Sequence, residues 1–232
     1  MRDNVRAAFE TMSWAGKGGK SPRSGPVSTL AWTKQLRQAL PRVFDQYGVK
    51  TFLDAPCGDW FWMQHVDLSD LTYIGGDISK EVADANIAKF TRPGVSFLHL
   101  DITSDPLPAA DMMLCRDCLM HLKLWLRWKF FENFAASDCK YLMTTVHHVL
   151  ENQAVKANGG FKYFNPAAPP FNFDPALDLI PESAEELSAD ILENSVAAPE
   201  HQSIGIWSKK QVIDALARRV AEPPQEPPDA RI

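Results

Sequence analysis

Residues 51–59 read Thr51-Phe52-Leu53-Asp54-Ala55-Pro56-Cys57-Gly58-Asp59: a short apolar run, an acid, then a proline, a glycine and a second acid. An apolar run stopped by turn-forming residues is the pattern of a buried strand that ends in a tight loop. The pattern recurs downstream. Leu71-Thr72-Tyr73-Ile74 ends in Gly75-Gly76-Asp77, Val95 to Leu100 ends at Asp101, Asp111 to Cys115 ends at Arg116-Asp117, and Tyr141 to Val146 forms a fifth run. Between these runs Lys80 to Phe90 reads as a helix with Ser79 as its N-cap. Leu119 to Ala136, interrupted by Lys123, Arg127, Lys129 and Glu132, reads as an amphipathic helix. Strands alternating with helices at this spacing require parallel strands joined by crossovers. The expected fold class is therefore α/β, a three-layer sandwich with helices on both faces of a mostly parallel sheet.

Outward from this centre the pattern loosens. Ser28 to Tyr47 carries Leu30, Leu36, Leu40, Val43 and Phe44 at helical spacing, and Pro41 is expected to kink or restart that helix. Residues 1–27, rich in glycine, serine and proline with five basic and two acidic residues, read as a flexible N-terminal arm that opens with a short helix from Asp3 to Met12. The main domain is expected over 28–220. It holds an acidic insertion at about 150–202, in which Tyr163 to Ser208 has no Lys or Arg and Asn165 to Pro175 is too proline-rich for a helix. Ser203 to Trp207 is a candidate late strand and Lys209 to Val220 a final helix. Residues 221–232 form a Pro-rich tail.

The chain has 232 residues, 45% of them hydrophobic, enough for one domain with a full core. Its 24 Lys+Arg against 29 Asp+Glu give a net charge of −5, which argues against affinity built on phosphate neutralisation, so nucleic acid is an unfavoured partner. No window has the roughly 18 uncharged apolar residues of a membrane helix, and the first residues lack the apolar stretch of a secretion signal. Cys57, Cys115, Cys118 and Cys139 are too few and irregular for a disulfide framework, so a reducing, cytoplasmic setting is expected. The Cys115-x-x-Cys118 pair has no second pair to complete a four-ligand zinc site, and no metal is expected.

In an open parallel sheet, ligands gather at the carboxyl ends of the strands. Asp54, Asp77, Asp101 and Asp117 stand at four successive ends. Each alone reads equally well as a turn or N-cap residue; four in succession favour a site. Asp77 follows Asp54 by 23 residues, near the spacing at which an acid after the second strand takes a ribose diol, so an adenosine-containing cofactor is indicated. A pyrophosphate would require G-x-G-x-x-G without competing negative charge. This loop has one glycine and an acid at Asp59, which suits a cationic sulfonium better.

The segments Leu53-Asp54-Ala55-Pro56-Cys57-Gly58-Asp59, Gly75-Gly76-Asp77-Ile78, Leu100-Asp101-Ile102 and Leu114-Cys115-Arg116-Asp117-Cys118-Leu119-Met120-His121-Leu122 resemble class I S-adenosylmethionine-dependent methyltransferases, in particular a bacterial subgroup with a D-A-P-C-G-D first loop. The resemblance implies a Rossmann-like sheet of seven strands, the last antiparallel, and S-adenosylmethionine as cofactor. It implies that Asp54, Ala55, Cys57, Gly58 and Asp59 hold the methionine part and Asp77 the ribose hydroxyls. Ile78 would then cover one face of the adenine, Asp101 and Ile102 its edge, and Arg116 would close the pocket.

Methyl transfer needs an aimed nucleophile and, where necessary, a base. Asp117 and His121, four apart, are expected on one helical face beside the methyl group; the alternative is that Asp117 caps the helix and His121 packs. His147 and Tyr163 are candidate acceptor-binding residues. Trp60 and Trp62 are read as pocket wall or core, and Arg23 as a partner for the cofactor's carboxylate. The expected function is methylation at oxygen or nitrogen of a small-molecule, sugar or peptide acceptor. A nicotinamide-dependent oxidoreductase and a non-catalytic cofactor-binding scaffold are the alternatives.

Overall fold

The computed structural model describes residues 5, 8–10, 22–182 and 202–219. Seven strands form one sheet: β1 Thr51–Asp54, β2 Thr72–Asp77, β3 Val95–His99, β4 Met112–Cys115, β5 Tyr141–His147, β6 Asp178–Glu182 and β7 Gln202–Ser208. Their spatial order is β3-β2-β1-β4-β5-β7-β6. The first five run parallel, with Leu53 beside Ile74 on one side and Met113 on the other. The sheet is mixed, because β7 lies antiparallel to both β5 and β6. Among the described residues, α1 Lys34–Tyr47, α2 Lys80–Phe90, α3 Leu124–Ala136 and α4 Lys209–Arg218 pack on it. None among the described residues is long and apolar enough to cross a membrane.

Successive strand residues point to opposite faces, so an apolar run buries both. Leu53, Met113 and Leu142 meet Leu126, Phe130 and Phe131 of α3 on one face. Phe52, Met112 and Met143 meet Leu36, Leu40 and Val43 of α1 on the other. Each such side chain contributes roughly 1.5–3 kcal/mol by leaving water. The three-layer arrangement follows from this double burial.

Local chemistry sets the helix starts. The hydroxyl of Ser79 accepts from the Val82 N–H, and Ser208 and Gln211 form a reciprocal capping box at the start of α4. Gly76 has no Cβ because one would lie 2.7 Å from Leu100. Helix α1 runs through Pro41 without restarting, contrary to the expectation from proline chemistry.

Two further differences bear on function. The expected helix from Leu119 to Ala136 divides into a 3-10 turn, Leu119–His121, and α3, with Leu122 extended between them. The carbonyls of Met120 and Leu122 are taken by the Arg127 side chain, and that of Met120 also by the Lys162 N–H, so they do not continue a helix. Strand β6, inside the acidic segment, was not expected, since Pro181 and a lack of alternation hide it. The expected helix at Asp3 to Met12 falls largely outside the described residues, as do the tail and residues 183–201 of the insertion.

Candidate active site

The chain reverses its direction across the sheet between β1 and β4, which opens a crevice at their carboxyl ends. A cavity of about 370 Å³ occupies it. Asp54, Cys57, Gly58, Asp59, Asp77, Ile78, Asp101, Ile102, Arg116, Asp117, His121 and His147 all line this cavity. Two expected residues do not. Ala55 is fully buried in the core, its N–H bonded to the Leu114 carbonyl, because the alternation of the strand carries its side chain inward. Tyr163 faces a separate depression with Val149 and Lys162, and its ring meets those of His147 and Phe161 at the border of the main site.

The first loop is held from beneath. The Asp77 carboxylate accepts from the Gly58 N–H at 3.0 Å and the Ser79 N–H at 2.8 Å. Asn86 donates to the Gly58 carbonyl at 2.8 Å. Gly58 sits at φ +55°, and a Cβ there would lie 2.8 Å from the Cβ of Ser24, so the position requires glycine twice over. Asp54 accepts from the Tyr73 hydroxyl at 2.7 Å. Burial pushes the Asp54 carboxyl up to about 7, with the Tyr73 hydroxyl and Arg116 opposing, and Asp77 up to about 6, with the Ser79 and Gly58 N–H groups opposing.

Asp59 and Asp101 line the cavity while committing their carboxylates to the chain itself. Asp59 accepts from the Arg23 N–H at 2.8 Å and the Ser24 hydroxyl at 2.7 Å, fastening the segment before α1 across the loop. Arg23 extends its guanidinium to Glu81 at 2.7 Å. Asp101 accepts from the Thr103 N–H and hydroxyl and the Ser104 hydroxyl, which shapes the turn after β3. Trp62 walls the cavity under the Arg116 guanidinium, whereas Trp60 packs among Tyr73, Phe90 and Phe97 in the core.

On the β4 side, Arg116 pairs with Asp117 at 2.7 Å and with Glu182 at 2.9 Å, and donates to the Val27 carbonyl. Gln202 bridges the two acids, at 3.0 Å to Asp117 and 2.8 Å to Glu182. Glu182 and Gln202 are register partners at the same sheet end, beside His147. Sequence reasoning missed both, because their place depends on β6. Burial pushes the Glu182 carboxyl up, against the pull of Arg116.

Asp117 and His121 do not share a helical face. Asp117 has φ +49° in the loop, and His121 ends the 3-10 turn. They still border one cavity. His121 Nδ1 lies 2.9 Å from the Gly160 carbonyl, which assigns the proton to Nδ1 and the lone pair to Nε2. Burial lowers its pKa. His147 Nδ1 accepts from the Phe164 N–H, and burial lowers its pKa also. Phe161 lies against both imidazoles, at 5.7 and 5.8 Å between centroids.

No family model matches the sequence, and no curated relative does. Solved structures do match. The chain superposes on the 1,6-didemethyltoxoflavin-N1-methyltransferase of Burkholderia thailandensis, which carries 1,6-didemethyltoxoflavin and S-adenosylhomocysteine, with a TM-score of 0.55, 15% identity, and coverage of 89% of this chain and 87% of that one. The methyltransferase domain of bacterial CtHen1 gives 0.53 at 11% identity, over 76% of this chain and 99% of that one; in another structure of that domain the chain spans 66% of the length. The PH0226 protein of Pyrococcus horikoshii gives 0.53 at 10% identity, over 80% and 96%. At these identities the likeness is one of architecture: the chain shares the fold of these structures, two of which are of named methyltransferases.

Proposed function

We propose that this protein is an S-adenosylmethionine-dependent methyltransferase that acts at oxygen or nitrogen on a small or medium polar acceptor. The observation that carries the reading is the pair Asp54 and Asp77, buried at the ends of adjacent parallel strands. Neither has an ion-pair partner among the described residues, and both carboxyls are held above their ordinary range. A cationic ligand relieves that state.

The surrounding residues fit an adenosyl group. Asp77 uses one acceptor site on each oxygen and keeps others for a ribose diol. Ile78, Ile102, Leu100 and Val82 supply apolar surface for a base. A dinucleotide fits poorly, because the Gly58 N–H that would meet a phosphate is given to Asp77. That counts against a nicotinamide enzyme.

When bound, the cofactor supplies a methyl group on a positively charged sulfur. His121 takes the proton of the acceptor on Nε2. Asp117, tied to Arg116 and Gln202, acts through its charge, favouring the imidazolium that forms. His147 and Phe161 border the acceptor's place. A small molecule, a sugar or a peptide segment suits this cavity mouth, and the net charge of −5 disfavours nucleic acid.

Calorimetric titration with S-adenosylhomocysteine and with NAD tests the reading. Binding of the first and not the second is expected; the reverse would overturn it. Incubation with labelled S-adenosylmethionine and fractionated lysate then separates an enzyme, which transfers label, from a scaffold, which does not.

A further inference from the structure

Arg127 on α3 is 0% exposed, and no carboxylate lies within ion-pair distance of it among the described residues. Its Nε donates to the Leu122 carbonyl at 2.9 Å and its Nη2 lies 3.4 Å from the Met120 carbonyl. The Phe164 ring faces the guanidinium at 5.5 Å, and Nη1 has no partner. Burial lowers its pKa to about 10, so it stays charged at neutral pH. A buried, unpaired cation is unfavourable, and an apolar side chain of similar length would fill the space without that cost. Arg127 therefore needs another account.

The two carbonyls it holds belong to the residues on either side of His121. The same turn is gripped from the opposite side, where Gly159 N–H donates to the His121 carbonyl, Lys162 N–H to the Met120 carbonyl, and Gly160 accepts from the imidazole. We infer that Arg127 is the positioning residue for His121: its fork fixes the backbone on both flanks of the imidazole, and its uncompensated charge opposes a second positive charge on that ring. The inference rests on His121 as the base of the proposed reaction. Asp117, from the loop after β4, pulls the other way, and His147 faces the site from β5. The ring thus lies between an anion that welcomes its proton and a cation that resists it.

The test is a proton NMR titration of the histidine ring signals in the whole chain, with His121→Gln assigning the resonance. His121 is expected to titrate below the ordinary 6.5. In Arg127→Met it should rise, and by more than any accompanying change at His147, whose imidazole feels the charge on His121. Arg127→Lys, which keeps the charge, should leave His121 near its wild-type value. A wild-type His121 at or above 6.5, or an unmoved His121 in folded Arg127→Met, overturns the inference. If Arg127→Met does not fold, Arg127→Gln, which keeps donors but not charge, is judged by the same criterion. Failure to bind S-adenosylhomocysteine would instead strike the methyltransferase reading and leave this titration interpretable.

Discussion

The guanidinium of Arg116 meets the carboxylate of Glu182 at 2.9 Å, joining the end of β4 to the end of the edge strand β6 across 66 positions of chain. Both side chains are almost wholly removed from water, at 4% and 0% exposure. Removing Glu182 takes one of the two carboxylate partners of Arg116 and leaves the buried guanidinium with Asp117, a loss of up to about 3 kcal/mol. Glu182→Ala should therefore destabilise the fold by up to that amount in urea unfolding. Because Gln202 then loses a partner as well, β6 should show faster amide exchange than β4. Equal stability of the variant and the parent would mean that Asp117 alone suffices for Arg116.

A second expectation concerns Tyr73, whose hydroxyl is the donor to Asp54. Tyr73→Phe removes it and leaves a buried carboxylate oxygen without that partner, a loss of roughly 1–3 kcal/mol. It also removes the hydrogen bond that opposes the effect of burial, so the Asp54 carboxyl should move above about 7. The protein should consequently take up a proton at higher pH than its parent. Potentiometric difference titration between the two chains checks this.

Gly58→Ala isolates the loop. The backbone is at φ +55° and the added methyl meets the Ser24 Cβ at 2.8 Å, so either the loop or the fastened segment must move. The strain of a non-glycine residue in this region is about 1–2 kcal/mol. Cofactor affinity should fall further than stability does, because the displaced parts line the cavity. A variant with unchanged affinity for S-adenosylhomocysteine would show that this loop does not shape the bound state.

The strand-and-loop grammar around Asp54 and Asp77 was legible because it is local: an apolar run, a stop, an acid. The helix start at Ser79 was legible for the same reason, since a cap is a contact between neighbours. Glu182 and Gln202 were not, because they join the site only through the pairing of β6 with β7, which places residues 20 apart side by side. The break at Leu122 was hidden too. A buried Arg127 looks in sequence like the polar stripe of an amphipathic helix, and nothing local says that it turns inward to hold carbonyls. Nor does a motif, which names consecutive positions, say that the Ala55 side chain turns to the core, since an extended chain sends alternate side chains to opposite sides.

The pH dependence of cofactor binding follows from Asp77. Its carboxyl is raised to about 6 in the folded, ligand-free protein, chiefly by burial. A ribose diol and a nearby cation favour the ionised form, so binding must release a proton wherever the free protein holds one. The share that Asp77 contributes should weaken as the pH falls through 6, by up to roughly tenfold per unit for one linked proton, and be complete above about pH 7. Asp54, raised to about 7, adds to the same slope if the cationic sulfur lies near it. Asp77→Asn should bind more weakly at pH 8, by about tenfold to a hundredfold for a lost charge-assisted contact, and should show a flatter dependence between pH 5 and 7. Calorimetry in two buffers of different ionisation enthalpy measures the proton release directly. Uptake of a proton on binding at pH 6 would place the ligand away from Asp77.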